Sequence, residues 1–254
     1  MKVIEIFKSI QGEGLYIGSP MVFVRLAGCN YTCPWCDTKY SWDVDSGDEY
    51  TPDELYSKIL EIGGYDNFNV CFTGGEPMLQ QDEIGKLIPW LHSKWWISTH
   101  IETNGSIIPK GPIRRIKHWV ISPKLRYITA KEMIEGILSV YLYGDVQLKF
   151  VVSSKADIID VNEFIQNFRE RSYRGNRIRY PIIIQPERYE ASNIDGLDAV
   201  LICDDDWVEQ SVHKGMYLRS MEQIIGWCND HLTNCNWRVL PQLHYLIWGD
   251  KRGV

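Results

Sequence analysis

Three cysteines, Cys29, Cys33 and Cys36, fall within the eight residues Cys-Asn-Tyr-Thr-Cys-Pro-Trp-Cys. They directly follow the apolar run Val24-Arg25-Leu26-Ala27-Gly28. Three thiolates on one tight loop can ligate three irons of a cubane [4Fe-4S] cluster. The fourth iron then has no protein ligand and can chelate a small molecule, which suits a reactive cluster rather than an electron carrier. The competing reading is a zinc knuckle. Structural zinc wants four ligands in a closed tetrahedron. No fourth Cys or His lies close by: the nearest histidine is His92, and Cys71 is 35 residues past Cys36.

Further candidates sit where apolar runs end. Thr73-Gly74-Gly75-Glu76-Pro77 closes one run. Glycines let backbone approach a ligand, and Glu76 offers acceptors for an ammonium. Glu102-Thr103-Asn104-Gly105, Ser122-Pro123-Lys124 and Gln185-Pro186 close three more. Each alone reads as a strand-terminating turn; their recurrence at successive ends argues for one site. Ile10-Gln11-Gly12-Glu13-Gly14 follows the first run. Its amide and carboxylate suit the N–H and C=O edge of a pterin or guanine-like ring. Arg25, four residues before Cys29, offers a fork for a substrate carboxylate. A strand-end salt bridge is the alternative for it.

The elements that must carry these residues alternate. Strands are expected at Val3–Phe7, Met21–Leu26, Asn69–Thr73, Trp96–Thr103, Trp119–Ser122, Gln147–Val152, Ile182–Gln185, Ala199–Ile202 and Trp237–Leu240. Helices are expected from Thr51, over Gln80–His92, Thr129–Leu138, Asp157–Arg169 and Ser220–His231. Thr51-Pro52-Asp53-Glu54 has the residues of a capping box. Repeated β-then-α order implies a parallel sheet with right-handed crossovers. About six such units make an α/β partial (β/α)6-type barrel, with ligands at the C-terminal strand ends.

The 254 residues suit one domain spanning 1–254. A net charge of -6 argues against a long nucleic-acid partner. No apolar run nears the roughly 20 residues of a membrane helix. The start, Met1-Lys2-Val3-Ile4-Glu5, carries an acid at once and has no signal-peptide core. The expected compartment is therefore the cytoplasm, with no membrane partner. Seven cysteines, an odd number, make a poor disulfide framework and fit a metal site in a reducing compartment. Cys71 reads as a buried apolar residue. Cys203, Cys228 and Cys235 are too loosely spaced to favour an auxiliary cluster.

The triplet with Trp35 before its last cysteine resembles the signature of the radical S-adenosylmethionine superfamily. The resemblance implies that the amino and carboxylate groups of S-adenosylmethionine chelate the open iron. An electron from the reduced cluster then breaks the sulfonium bond to C5′, and the 5′-deoxyadenosyl radical takes a hydrogen from the substrate. It also implies S-adenosylmethionine contacts by Trp35, Cys36, Asp37, Gly74, Gly75, Glu76, Thr103, Asn104, Ser122, Pro123, Lys124 and Gln185.

Gln11-Gly12-Glu13-Gly14, Phe23-Val24-Arg25-Leu26 and Cys29 through Asp37-Thr38 together resemble the 7-carboxy-7-deazaguanine synthase family, densely over residues about 3 to 42 and sparsely beyond. That family converts 6-carboxy-5,6,7,8-tetrahydropterin to 7-carboxy-7-deazaguanine with loss of ammonia, on the way to queuosine and other 7-deazapurines. The match implies substrate contacts by Ile10, Gln11, Gly12, Glu13, Arg25 and Thr73, and Mg²⁺ on Thr38. Leu240-Pro241-Gln242-Leu243-His244 resembles the family's closing segment, where His244 and the terminal carboxylate, here Val254, reach the substrate. The reading further implies an electron donor such as a flavodoxin or ferredoxin, and a homodimer, with Trp95-Trp96 and Trp227 as candidate interface; core packing explains these tryptophans equally well. Two rivals remain at this point: a glycyl-radical activase acting on a partner protein, and a non-catalytic, metal-stabilised binding module.

Overall fold

In a computed structural model of the chain, residues 1–64, 68–127, 130–140, 144–171, 181–187, 206–233, 235–249 and 251–253 are described. Strands β1 (Lys2–Ile10) and β2 (Pro20–Leu26) come first, then the short β3 (Asp48–Glu49). Helix α1 (Pro52–Gly63) precedes β4 (Phe68–Gly74), α2 (Gln81–His92) precedes β5 (Ile97–Thr103), and β6 (His118–Ile121) leads to α3 (Ala130–Val140). Strand β7 (Asp145–Val152), α4 (Lys155–Arg171), β8 (Ile182–Pro186), α5 (Asp206–His231), β9 (Trp237–Val239) and α6 (Leu243–Trp248) complete the order.

Among the described residues the strands form one sheet in the order β3-β1-β2-β4-β5-β6-β7-β8-β9. From β2 to β9 every pairing is parallel. The expected α/β partial barrel is therefore present, with β3 and β9 at its open edges. One difference is that β1 runs antiparallel to both β2 and β3. The nine residues between β1 and β2 are too few for a helical crossover, so the chain can only turn back.

Local chemistry explains the helices. Thr51 accepts from the Glu54 N–H at 3.3 Å, and the Glu54 carboxylate accepts from the Thr51 N–H at 2.8 Å. With Pro52 at the first helical position, this is the expected capping box. Helix α5 begins at Asp206, well before the expected Ser220; Gly215 and mixed polarity hide its first half from a periodicity reading. The expected strand at Ala199–Ile202, Thr129, Cys203 and Val254 lie outside the described residues.

The apolar core fills the space between sheet and helices, with Val24, Phe72, Ile101, Trp119, Leu148 and Ile184 from successive strands. Alternation along a strand then turns the other residues inward: Arg25, Thr73, Glu102, Lys149 and Gln185 all line one cavity. Among the described residues, no helix is long and apolar enough to cross a membrane.

Candidate active site

The cysteine loop is pinned by backbone. The Gly28 N–H donates to Ser41 O at 2.8 Å, the Cys29 N–H to Trp42 O at 3.1 Å, and the Glu76 N–H to Gly28 O at 2.8 Å. A Cβ at position 75 would fall 2.1 Å from Gly28 O. The glycine there is required by contact between two backbones, where the sequence suggests approach to a ligand. Cys29, Cys33 and Cys36 all line a cavity of about 500 Å³ at the C-terminal strand ends. Their thiols are free, and burial pushes those of Cys29 and Cys33 up. Iron would reverse that preference, because a coordinated thiol gives up its proton. The donor set fits a [4Fe-4S] cluster with one open corner.

Glu76 is fully buried. Its carboxylate accepts from Thr103 Oγ1 at 2.6 Å, the Asn104 N–H at 2.7 Å and the Met78 N–H at 3.0 Å. The structure thus uses Glu76 to tie β4 to the end of β5, where the sequence suggests an acceptor for a ligand ammonium. The tie presents Thr103 and Asn104 to the cavity, and Asn104 Nδ2 donates to Asn30 Oδ1 of the cysteine loop at 2.9 Å. Gly74, Gly75, Trp35, Asp37, Ser122, Lys124 and Gln185 also line it. Lys124 Nζ donates to Ser122 Oγ at 2.8 Å. Pro123 instead lines a separate small recess beside Arg126 and Asp157. Thr38 lines the cavity with Oγ1 3.5 Å from Cys36 Sγ.

The opposite wall is built around Glu13. Lys149 of β7 forms an ion pair with Glu13 Oε2. Oε1 accepts from Gln242 Nε2 at 2.6 Å and from Gln185 Nε2 at 3.1 Å. Burial acts to raise the Glu13 pKa, but the Lys149 ammonium and then His244 overcome it and hold the carboxyl below the usual range. Burial likewise opposes the Lys149 charge, and Glu13 and Glu102 more than restore it. Glu13 is therefore an acceptor only, fixed in place. Gln242 Nε2 also donates to Asp37 Oδ2 at 3.3 Å, linking this wall to the cysteine loop. Glu13, Asp37 and His244 each offer a ligand atom within 4.8 Å of the others, close enough to share one metal ion.

Gln11 Nε2 donates to Glu102 Oε1 at 2.9 Å, and Thr73 Oγ1 donates to Glu102 Oε2 at 2.9 Å. Arg25 Nε donates to Glu5 Oε1 at 2.6 Å while its side chain lines the cavity. Ile10 and Gly12 line it too. Helix α6, which the sequence does not reveal, brings His244 over Gly12, and the Leu243 N–H donates to Gly12 O at 2.8 Å.

Motif reading misses Lys149 and Arg252, and it includes Glu102 and Gln242 in candidate segments without giving either a role of its own. Lys149 carried a signal, since it alternates with Gln147 and Val151 in an otherwise apolar strand. Arg252 places its guanidinium 3.4 Å from the centre of the Tyr40 ring at the cavity wall, and no pattern in the sequence marks it.

A family model described as "4Fe-4S single cluster domain" matches residues 10–112. A Bacillus cereus protein named 7-carboxy-7-deazaguanine synthase is 32% identical, over 99% of this chain and 98% of its own. Proteins of the same name from Pyrobaculum aerophilum (31% identical, covering 100% and 97%) and Thermoplasma acidophilum (32%, covering 100% and 100%) also align from end to end. Among solved structures, QueE from Escherichia coli superposes with a TM-score of 0.60 at 21% identity, over 96% of this chain and 94% of that one. Streptococcus suis SuiB bound to S-adenosylmethionine superposes at 0.52 and 15% identity, over 86% and 51%. These two share the fold of this chain.

Proposed function

The chain belongs to the 7-carboxy-7-deazaguanine synthase family, and from this we propose that it is a radical S-adenosylmethionine lyase converting 6-carboxy-5,6,7,8-tetrahydropterin to 7-carboxy-7-deazaguanine with loss of ammonia. One observation carries the reading. Three free thiols of a single loop face the same cavity as a carboxylate, Glu13, held ionised beside Gln11 and Glu102. When bound at Cys29, Cys33 and Cys36, the cluster supplies the electron that cleaves S-adenosylmethionine to a hydrogen-abstracting radical.

The chain's own residues then have to aim and exclude. Thr103, Asn104, Ser122, Lys124 and Gln185 supply polar contacts for S-adenosylmethionine, with Gly74 and Gly75 and the Trp35–Asp37 backbone. Glu13 offers fixed acceptors to ring N–H groups, and Gln11 offers the complementary amide. Arg25 keeps its terminal nitrogens for the substrate carboxylate after Glu5 takes Nε. His244 closes the wall above Gly12. The buried Lys149 neutralises Glu13 so that a neutral heterocycle can bind against it without stranding a charge.

Mg²⁺ belongs to the same reading, on Thr38 with oxygens from the substrate and water. The Glu13–Asp37–His244 group offers more negative charge, but it includes an imidazole, and a cation there must compete with the Lys149 ammonium. The reaction also calls for a one-electron donor of flavodoxin or ferredoxin type. A cytoplasmic homodimer completes the proposal, and Trp95, 82% exposed, is among the described residues the large apolar side chain most in need of cover.

The test is an anaerobic incubation of the iron- and sulfide-reconstituted chain with S-adenosylmethionine, reductant and the carboxypterin, with and without Mg²⁺. The expected result is 7-carboxy-7-deazaguanine by mass, faster with Mg²⁺. A preparation that takes up one zinc and no iron or sulfide would overturn the reading.

A further inference from the structure

Beneath the cavity, the inner face of the sheet carries a second polar layer. Residues two apart on a strand share a face. His100 therefore lies below Glu102 on β5, and Gln147 below Lys149 on β7. His100 is 1% exposed, and neither ring nitrogen has a hydrogen-bond partner. Gln147 Oε1 accepts from the Leu15 N–H at 2.8 Å, while its Nε2 is buried without a partner. Buried polar atoms without partners are destabilising, and ordered water is the usual remedy. The step from His100 to Glu102 is two residues, roughly 6–7 Å along the strand, which one water can bridge.

The same layer continues to solvent. His118 pairs with His100 across β5 and β6, with ring centres 4.5 Å apart. The Tyr16 ring meets His100 edge-on at 4.7 Å, and its hydroxyl lies 2.6 Å from His118 Nδ1. His118 Nδ1 is 3.6 Å from Asp145 Oδ2, whose side chain is 40% exposed. Polar groups thus run from the underside of Glu102 to the N-terminal end of the strands.

We propose that His100 holds buried water beneath Glu102, and that this water, with Tyr16, His118 and Asp145, conducts protons between the cavity and the far end of the barrel. The proposal rests on the reaction given above. Forming an aromatic ring with loss of ammonia moves two hydrogens from carbon to the leaving nitrogen: the hydrogen atom taken by the radical, which 5′-deoxyadenosine must hand back to the rearranged substrate, and one proton from a ring carbon. No electrons are gained or lost overall, and the released ammonia takes a further proton from bulk water. Glu102, held by Gln11 and Thr73, accepts the carbon proton and passes it to the water. One ring nitrogen of His100 accepts it as the other releases its own toward His118 and Tyr16, and Asp145 exchanges it with solvent. A matching proton returns to the leaving nitrogen, so every group ends as it began. Burial, then the neighbouring His118, push His100 down to about 3, so the imidazole is neutral and keeps one donor and one acceptor. Besides Glu102, Tyr16 and His118, the titratable group facing it among the described residues is Cys71, its register partner on β4.

The test has two arms. In the first, a high-resolution crystal structure of the cofactor-free chain should show ordered water within hydrogen-bond distance of a His100 ring nitrogen; a dry His100 overturns the proposal even if turnover is normal. In the second, reconstituted His100→Phe and His100→Gln are compared for 5′-deoxyadenosine and for deazaguanine product in H₂O and D₂O. His100→Phe should form 5′-deoxyadenosine at the normal rate but release product at least 10-fold more slowly, with a larger solvent isotope effect. His100→Gln should recover much of that loss. Product formation within twofold of wild type in His100→Phe, or equal loss of both products in both variants, would count against the relay. A wild-type chain that leaves the carboxypterin untouched overturns the reaction and the relay together.

Discussion

The His244 imidazole rests directly on Gly12: a Cβ at position 12 would fall 2.0 Å from its Nδ1. The loop after β1 and the start of α6 are therefore fitted to each other at a spot that only glycine allows. Gly12→Ala should displace α6 and cost about 1–3 kcal/mol, as overpacking does. Product formation should fall at least 10-fold. His244→Ala in the same chain removes the ring but keeps a Cβ 2.9 Å away, so it should restore part of the stability and none of the activity. Urea melts and turnover of the single and double variants check this.

The Glu13–Lys149 pair sets the acid limb of stability. The Glu13 pKa in the folded chain lies below the unfolded value of about 4.5. Its contribution is fully present above that value and is lost as pH falls below it. Lys149→Met leaves a buried carboxylate without its cation, at a cost of about 3–5 kcal/mol at neutral pH. Burial then raises the Glu13 pKa, so this variant should gain stability from pH 7 toward pH 5. Glu13→Gln/Lys149→Met should lose most of the defect and all of the reversed slope. Thermal melts from pH 4 to 8 decide the matter.

Removing a cluster thiol and removing a core thiol should separate cleanly. Cys33→Ala should abolish stable [4Fe-4S] loading and 5′-deoxyadenosine formation. Cys71→Ala, in the satellite core with Met21 and Phe23, should keep wild-type iron content and lose about 1–2 kcal/mol of stability. Iron and sulfide analysis of anaerobic preparations checks both.

Arg25 divides its fork between Glu5 and the cavity. Arg25→Ala should raise KM for the carboxypterin about 10- to 100-fold, the scale of a lost charge-assisted contact. Uncoupled cleavage of S-adenosylmethionine should persist. Equal loss of cleavage and product would reduce Arg25 to a partner of Glu5.

Much of the frame can be read from the sequence because its signals are local. Thr51 and Glu54 announce α1 within four residues, and the cysteine loop announces itself within eight. What cannot be read depends on register and on long loops. Lys149 meets Glu13 across 136 residues of chain, and Gln242 meets it across 229. Nothing near Glu76 tells that its carboxylate turns toward Thr103 and Asn104. The antiparallel β1 follows from the brevity of the link to β2, a constraint of length that strand periodicity does not contain. Arg252 lines the cavity beyond the end of α6, where Gly249 takes φ 65°, and no local pattern announces that approach.

The radical step is read out with carboxypterin carrying deuterium on the carbon that bears the carboxylate. While forming 7-carboxy-7-deazaguanine, the anaerobic, reconstituted chain should move that deuterium into the 5′ position of 5′-deoxyadenosine or of the S-adenosylmethionine regenerated from it. Product formed with neither molecule carrying label would contradict hydrogen abstraction by a radical generated at Cys29, Cys33 and Cys36.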